Sequence, residues 1–131
     1  MSEISFQIRV TFSVKPSLLY ESWLDSSEHS YMTGAKAICS NKEGGEFTAW
    51  DEYIRGKNIE LIPNKRIVQS WRTSEFNDED EDSKIVIEFK GTKEGCELIL
   101  SHSNIPLDQP DYEKGWIEHY FKPMKKYFKS K

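Results

Sequence analysis

The apolar positions near the start of the chain recur first with the period of a strand and then with that of a helix. From residue 4 to residue 12 apolar and polar side chains alternate strictly, which predicts a strand with one buried face and one face in water. Pro16 and the apolar residues after it predict a helix to about residue 24, because proline suits the first turn. Asp25 and the serines after it interrupt this helix, and Gly34 closes the segment. Two short helices are therefore predicted after the first strand.

Most of the next seventy or so residues alternate apolar and polar positions between tight turns, which predicts consecutive strands. Short turns between strands favour an antiparallel sheet. Gly56 lies inside a strand pattern and predicts a bulge or a sharp bend. Residues 74–83 carry six carboxylates, which predict a solvated, mobile loop. The predicted strands cover residues 35–40, 46–50, 53–62, 66–72, 85–89 and 98–102.

Residues 112–128 carry two adjacent apolar stripes with helical spacing, and an apolar face this broad needs a wide apolar partner. The preceding sheet is the candidate partner. Pro123 lies inside the helix pattern and predicts a kink near residues 119–123. The pattern thus predicts an α+β protein in which a curved antiparallel sheet wraps around a long C-terminal helix. The first stripe comprises Ile117, Phe121, Met124 and Phe128, and the second comprises Trp116, Tyr120 and Tyr127.

Length and charge narrow the class of protein. The 131 residues suffice for one core, so a single domain over residues 1–131 is predicted. The net charge of -4 supplies no basic field for nucleic acid or anionic lipid, and no apolar run reaches the length of a membrane span. The alternating first ten residues are not typical of a signal peptide. Cys39 and Cys96 lack CxxC spacing and are expected to be reduced, which favours a cytoplasmic protein.

The chain carries no sequence motif for catalysis, and no catalytic residue is assigned. It has no GxSxG nucleophile elbow, no P-loop and no dinucleotide fingerprint. Asp51 and Glu52 are adjacent carboxylates, which suit a hairpin tip better than a catalytic pair. His29 and His119 lack metal-ligand spacing, so neither a metal nor a cofactor is expected.

Residues 44–72, GGEFTAWDEYIRGKNIELIPNKRIVQSWR, resemble the signature of the domain found in activators of the 90-kDa heat-shock protein ATPase. This domain is part of the START-like, or birch-pollen-allergen-like, helix-grip superfamily, also called SRPBCC. The resemblance covers nearly the whole chain and implies the helix-grip fold, in which a bent antiparallel sheet holds the C-terminal helix in its groove. Further matching segments are residues 16–20 with Asp25, 32–34, 98–102, 104–106 and 115–116.

The resemblance implies more than one kind of function. The family includes one-domain bacterial proteins with no known reaction, and its eukaryotic activators carry a separate N-terminal chaperone-binding domain that this sequence does not include. The leading interpretation is a non-enzymatic START-like module that binds a small apolar or amphipathic ligand between the sheet and the terminal helix. The alternative is a co-chaperone whose partner is the 90-kDa heat-shock protein. An enzyme of the cyclase kind found on the same fold is the third interpretation.

The predicted ligand cavity is lined by aromatic residues and by the last strand. Aromatic walls with polar tips suit an amphipathic ligand, although the same rings would equally fill a solid core. His102 shares strand parity with Leu98 and Leu100 and is expected to face the groove. There it would act as a general base, as a ligand-binding group or as a hydrogen-bonded side chain near the rim. The predicted cavity residues are Trp50, Tyr53, Trp71, Leu100, His102, Trp116 and Tyr120.

Overall fold

A computed structural model describes residues 3–129, and residues 1, 2, 130 and 131 of the predicted domain lie outside the described residues. The strands are β1 (Glu3–Phe12), β2 (Glu46–Ala49), β3 (Ile54–Ile62), β4 (Arg66–Thr73), β5 (Ser83–Gly91) and β6 (Cys96–Pro106). Helices α1 (Pro16–Leu24) and α2 (Ser26–Thr33) follow β1. The terminal helix consists of three consecutive segments, α3 (Tyr112–Trp116), a π turn (Ile117–Phe121) and α4 (Lys122–Lys129).

The six strands form one antiparallel sheet in the order β1-β6-β5-β4-β3-β2. After β1 the chain crosses through α1 and α2 to the opposite edge, and the remaining strands return hairpin by hairpin until β6 lies beside β1. Alternate residues of the central strands are buried in one core cluster together with residues of the helices. The predicted α+β architecture, with two short helices and a long terminal helix, is confirmed.

The two short helices begin and end where the local signals place them. Pro16 occupies the first turn of α1. The carboxylate of Asp25 caps α2 by accepting a hydrogen bond from the Glu28 amide at 2.9 Å, and Gly34 ends α2 with a φ of 87°. Within residues 3–129, no helix combines the length and the apolar character needed to cross a membrane.

The strand predicted at residues 35–40 does not form, and one isolated bridge between Ile38 and Thr48 stands in its place. Two hydroxyl groups of α2 explain the difference. Ser30 accepts a hydrogen bond from the Ala37 amide, and Ser26 accepts one from the Cys39 amide, both at 2.8 Å. Since these bonds satisfy backbone amides that a ladder would otherwise pair, the segment lies against α2 and pairs with the edge strand β2 only through Ile38.

A bulge or a bend is predicted at Gly56, and the bulge lies elsewhere, because the register of β3 and β4 shifts between Asn58 and Glu60. Gly56 itself pairs with Phe47 of β2. A Cβ atom on Gly56 would collide with the backbone carbonyl of Ser70 and would lie 2.8 Å from a ring carbon of Phe47. The glycine is therefore needed for the close approach of two backbones.

The acidic segment between β4 and β5 is only partly the solvated loop that its charge predicts. Its carboxylates are exposed or partly exposed, but Phe76 is buried against Trp71 and Tyr112. The Arg72 guanidinium donates to the carbonyl of Asn77 at 2.9 Å and pairs with Asp82 at 2.7 Å. These contacts hold the segment against the end of the sheet, so replacing it with a flexible link would remove core packing.

The terminal helix widens just before Pro123. The ring of a proline crowds the carbonyl four residues earlier, here that of His119, and the preceding turn is a π turn in which the Lys122 amide donates to Ile117. The additional residue in this turn shifts the apolar stripe, so Tyr120 and Phe121 are both buried while Ile117 is 40% exposed. The π turn overlaps the residues at which a kink is predicted. The predicted burial of Ile117 is wrong.

Candidate functional site

A cavity of about 430 Å³ lies between the first half of the terminal helix and the end of the sheet formed by β3 and β4. The helix crosses the sheet diagonally here. At its start the hydroxyl groups of Tyr112 and Thr73 are 2.7 Å apart, and at its end the ring of Phe128 packs on Phe12 of β1. The volume falls within the range of small-molecule sites, and the walls are mainly aromatic.

The structure places five of the seven predicted residues around this cavity, namely Trp50, Tyr53, Trp71, Trp116 and Tyr120. The other two, Leu100 and His102, are fully buried and are not among the residues that line it. Leu100 lies between Ile8 and Ile87 in the middle of the sheet. A larger side chain at Leu100 would therefore overpack the core instead of entering the cavity.

The sequence reasoning missed six lining residues, which are Ile54, Pro110, Asp111, Tyr112, Gly115 and His119. Helical spacing could have found two of them, because Tyr112 precedes Trp116 by four residues and His119 follows it by three. Asp111 could have been recognised as the cap of α3, since its carboxylate accepts a hydrogen bond from the Lys114 amide at 3.1 Å.

Trp50 reaches the cavity from a strained turn. The predicted strand at 46–50 ends at Ala49, and Trp50, Asp51 and Glu52 have φ values of 52°, 57° and 74°. Three consecutive non-glycine residues in the left-handed region are rare and each stores backbone strain. The turn sets the Trp50 ring edge-on to His119, with 5.7 Å between ring centroids. Within the described part of the chain, the enclosed Trp50 indole N–H has no hydrogen-bond partner.

His102 connects the sheet to the terminal helix behind the cavity. The indole N–H of Trp116 donates to His102 Nδ1 at 3.0 Å, and His102 Nε2 lies 2.8 Å from the Ser83 hydroxyl, which itself donates to the Trp71 carbonyl. An indole nitrogen can only donate, so Nδ1 must be unprotonated and the proton lies on Nε2. Burial lowers the pKa of His102 to about 3, in agreement with a neutral ring.

His29 makes a second connection to the terminal helix. Its Nδ1 lies 2.8 Å from the Trp23 carbonyl, which can only accept, so the proton lies on Nδ1. Its Nε2 accepts a hydrogen bond from the Tyr120 hydroxyl at 2.8 Å. Burial lowers the pKa of His29 to about 4. Both histidines are thus neutral anchors of the helix that forms one cavity wall.

The tyrosines of the lining are kept as neutral phenols. Burial raises the pKa of Tyr120 well above its usual range. Burial also raises the pKa of Tyr53, whose hydroxyl donates to the Glu75 carboxylate at 2.5 Å. Besides the Asp111 carboxylate, the cavity therefore offers flat aromatic rings and neutral phenols, an arrangement suited to holding a molecule by shape and stacking.

A curved antiparallel sheet around a long terminal helix, with a cavity between the two, defines the START-like, or helix-grip, class of protein. The chain belongs to the family of Activator of Hsp90 ATPase homolog 1-like proteins, whose sequence model matches residues 13–129. The resemblance noted in the sequence is thereby confirmed.

Relatives of this family agree in sequence and in structure. The chain is 27% identical over 122 residues to the human activator of 90 kDa heat shock protein ATPase homolog 1, covering 92% of this chain and 36% of that protein. A Dictyostelium discoideum homologue is 26% identical over 133 residues, which cover 95% of this chain and 34% of that protein. The chain thus spans about a third of the length of these curated relatives.

Two solved structures share the fold. An HSP90 activator from Plasmodium falciparum has a TM-score of 0.82 at 23% identity and covers 97% of this chain and 96% of its own. A Chromobacterium violaceum protein has a TM-score of 0.75 at 18% identity, and the match covers 95% of this chain and 96% of that protein.

Proposed function

We propose that this chain is a non-enzymatic module that binds a small apolar or amphipathic molecule in the aromatic cavity. The observation that carries the proposal is Gly115, which lines the cavity from within α3. A glycine inside a helix is destabilising by about 0.5–1 kcal/mol relative to alanine. Its φ is not positive, and a Cβ at this position would meet no atom within 4 Å. Neither backbone conformation nor packing requires glycine here, and the absence of a long side chain at this position leaves the cavity open.

Trp50 supports the same proposal. A strained turn that holds a large aromatic ring over a cavity is typical of binding sites, where strain is retained for a purpose other than stability. An enzyme of the cyclase kind has less support, because His102 lies outside the lining and both of its ring nitrogens already have partners.

An uncharged fluorescent probe, N-phenyl-1-naphthylamine, tests the proposal. We expect saturable binding of one probe per chain, accompanied by quenching of tryptophan fluorescence, because three tryptophans line the cavity. Binding without saturation, or with several probes per chain, would indicate a nonspecific surface and would contradict the proposal.

A second candidate function is binding to the 90-kDa heat-shock protein, since the curated relatives are named as activators of its ATPase. This candidate predicts a direct complex and faster ATP turnover by the chaperone of the same host, whereas the ligand-binding proposal predicts little or no stimulation. A steady-state ATPase assay separates the two. Clear stimulation at low micromolar concentrations of this protein would place the interaction with the chaperone first.

A further inference from the structure

We propose that the ligand is an organic cation, an ammonium or quaternary ammonium group on an apolar body. This inference rests on the proposed function and specifies the chemistry of the same cavity. It is carried by two features of the lining, the aromatic faces of the walls and the sign of the charge at the rim.

The walls are rich in electron-rich rings. Besides the rings of Trp50, Trp71 and Trp116, the lining includes three tyrosines, Tyr53, Tyr112 and Tyr120. The face of an aromatic ring carries partial negative charge and attracts a cation within about 6 Å, most strongly for tryptophan. Two of these rings, Trp71 and Trp116, pack on each other with 5.7 Å between their centroids, so they form one continuous aromatic wall.

The described lining residues include one carboxylate. Asp111 lines the cavity, and the hydrogen bond from the Lys114 amide fixes one carboxylate oxygen at 3.1 Å. The Glu75 carboxylate accepts the hydrogen bond of the lining phenol Tyr53. Among the residues that the structure describes, no lysine or arginine lines the cavity. His119 is the histidine of the lining. An anionic ligand would thus face the Asp111 carboxylate with no lysine or arginine in the described lining to compensate it.

Three probes of one shape and different charge test this inference. They are benzyltrimethylammonium, the uncharged alcohol 2-methyl-1-phenyl-2-propanol and the anion phenylmethanesulfonate, each titrated against bound N-phenyl-1-naphthylamine. We expect the cation to displace the probe at a concentration at least about tenfold lower than the alcohol, and the anion to displace it last. Equal or tighter binding of the alcohol would overturn the cation inference while leaving ligand binding intact. If N-phenyl-1-naphthylamine itself does not bind, the proposed function and this inference both fail.

The variant Asp111→Asn tests whether the Asp111 carboxylate causes the preference for the cation over the alcohol. The amide oxygen of asparagine caps a helix about as well as a carboxylate, so the variant removes charge while keeping the contact to Lys114. We expect the ratio of alcohol to cation dissociation constants to fall about threefold or more, with little change for the alcohol. Asp108→Asn, at an exposed position of the preceding turn outside the lining, is the matched control and should leave the ratio unchanged. An unchanged ratio in Asp111→Asn would overturn the role assigned to the rim.

Discussion

Gly56→Val is expected to destabilise the fold by more than about 3 kcal/mol, beyond the range of most single substitutions. A Cβ atom at Gly56 would collide with the Ser70 carbonyl oxygen and lie 2.7 Å from its carbonyl carbon. Because these atoms belong to the backbone of β4, no change of side-chain rotamer relieves the collision. β3 and β4 would have to separate next to the turn that carries Trp50. Urea titration of the purified variant measures the loss.

Gly91→Val provides the matched control for this prediction. Gly91 is also a strand glycine without a positive φ, and its Cβ would meet only Pro16, at an ordinary 3.7 Å. Valine has a higher strand propensity than glycine, so Gly91→Val should be neutral or slightly stabilising. If the two variants unfold within about 1 kcal/mol of each other, the close approach of the strands is not what selects glycine at position 56.

Acidification below about pH 6.5 is expected to destabilise the protein steeply, because two buried histidines are neutral in the folded state. The pKa of a histidine in the unfolded chain is about 6.5, whereas burial lowers the pKa of His29 to about 4 and that of His102 to about 3. Between these values the unfolded chain binds more protons than the folded chain. Stability is therefore fully present above about pH 6.5 and falls with decreasing pH, by up to about 1.4 kcal/mol per pH unit for each histidine.

Glutamine at either histidine position isolates this effect from the titration of carboxylates. The amide of His102→Gln can accept from Trp116 and donate to Ser83, but it does not protonate in this range. We expect His29→Gln and His102→Gln to be less stable than the wild type near neutral pH. Between about pH 6.5 and about pH 4.5, each should lose about 2 kcal/mol less stability on acidification. Parallel curves for the three proteins would show that the histidines do not carry the pH dependence.

The elements that the sequence predicted correctly depend on local signals. The strict alternation of β1, the proline that opens α1 and the interruption at Asp25 each act within a few residues, and each element formed as predicted. The strand prediction for residues 35–40 failed because the conformation of this segment depends on hydrogen bonds to the hydroxyl groups of Ser26 and Ser30. The alternation of apolar and polar residues does not report such tertiary contacts.

The cavity was only partly predictable for a related reason. Strand parity correctly assigned Leu100 and His102 to the inner face of β6. Parity does not show which part of that face is covered by the helix and which part borders the cavity. The helix stripe was displaced by the π turn, which exposed Ile117. Gly115 has no side chain, so an analysis of apolar spacing does not detect it, although this residue leaves space in the cavity wall.

The most direct test of the ligand cavity is the titration with N-phenyl-1-naphthylamine repeated on Gly115→Phe, with Gly115→Ala as control. Both changes raise helix propensity, and the space around this position accepts a side chain, so neither should lower the thermal midpoint. Alanine adds one carbon and should leave binding within about twofold, whereas phenylalanine should fill the cavity and weaken binding at least about tenfold. Undiminished binding by a folded Gly115→Phe protein would contradict the account, because the probe would then occupy some other site.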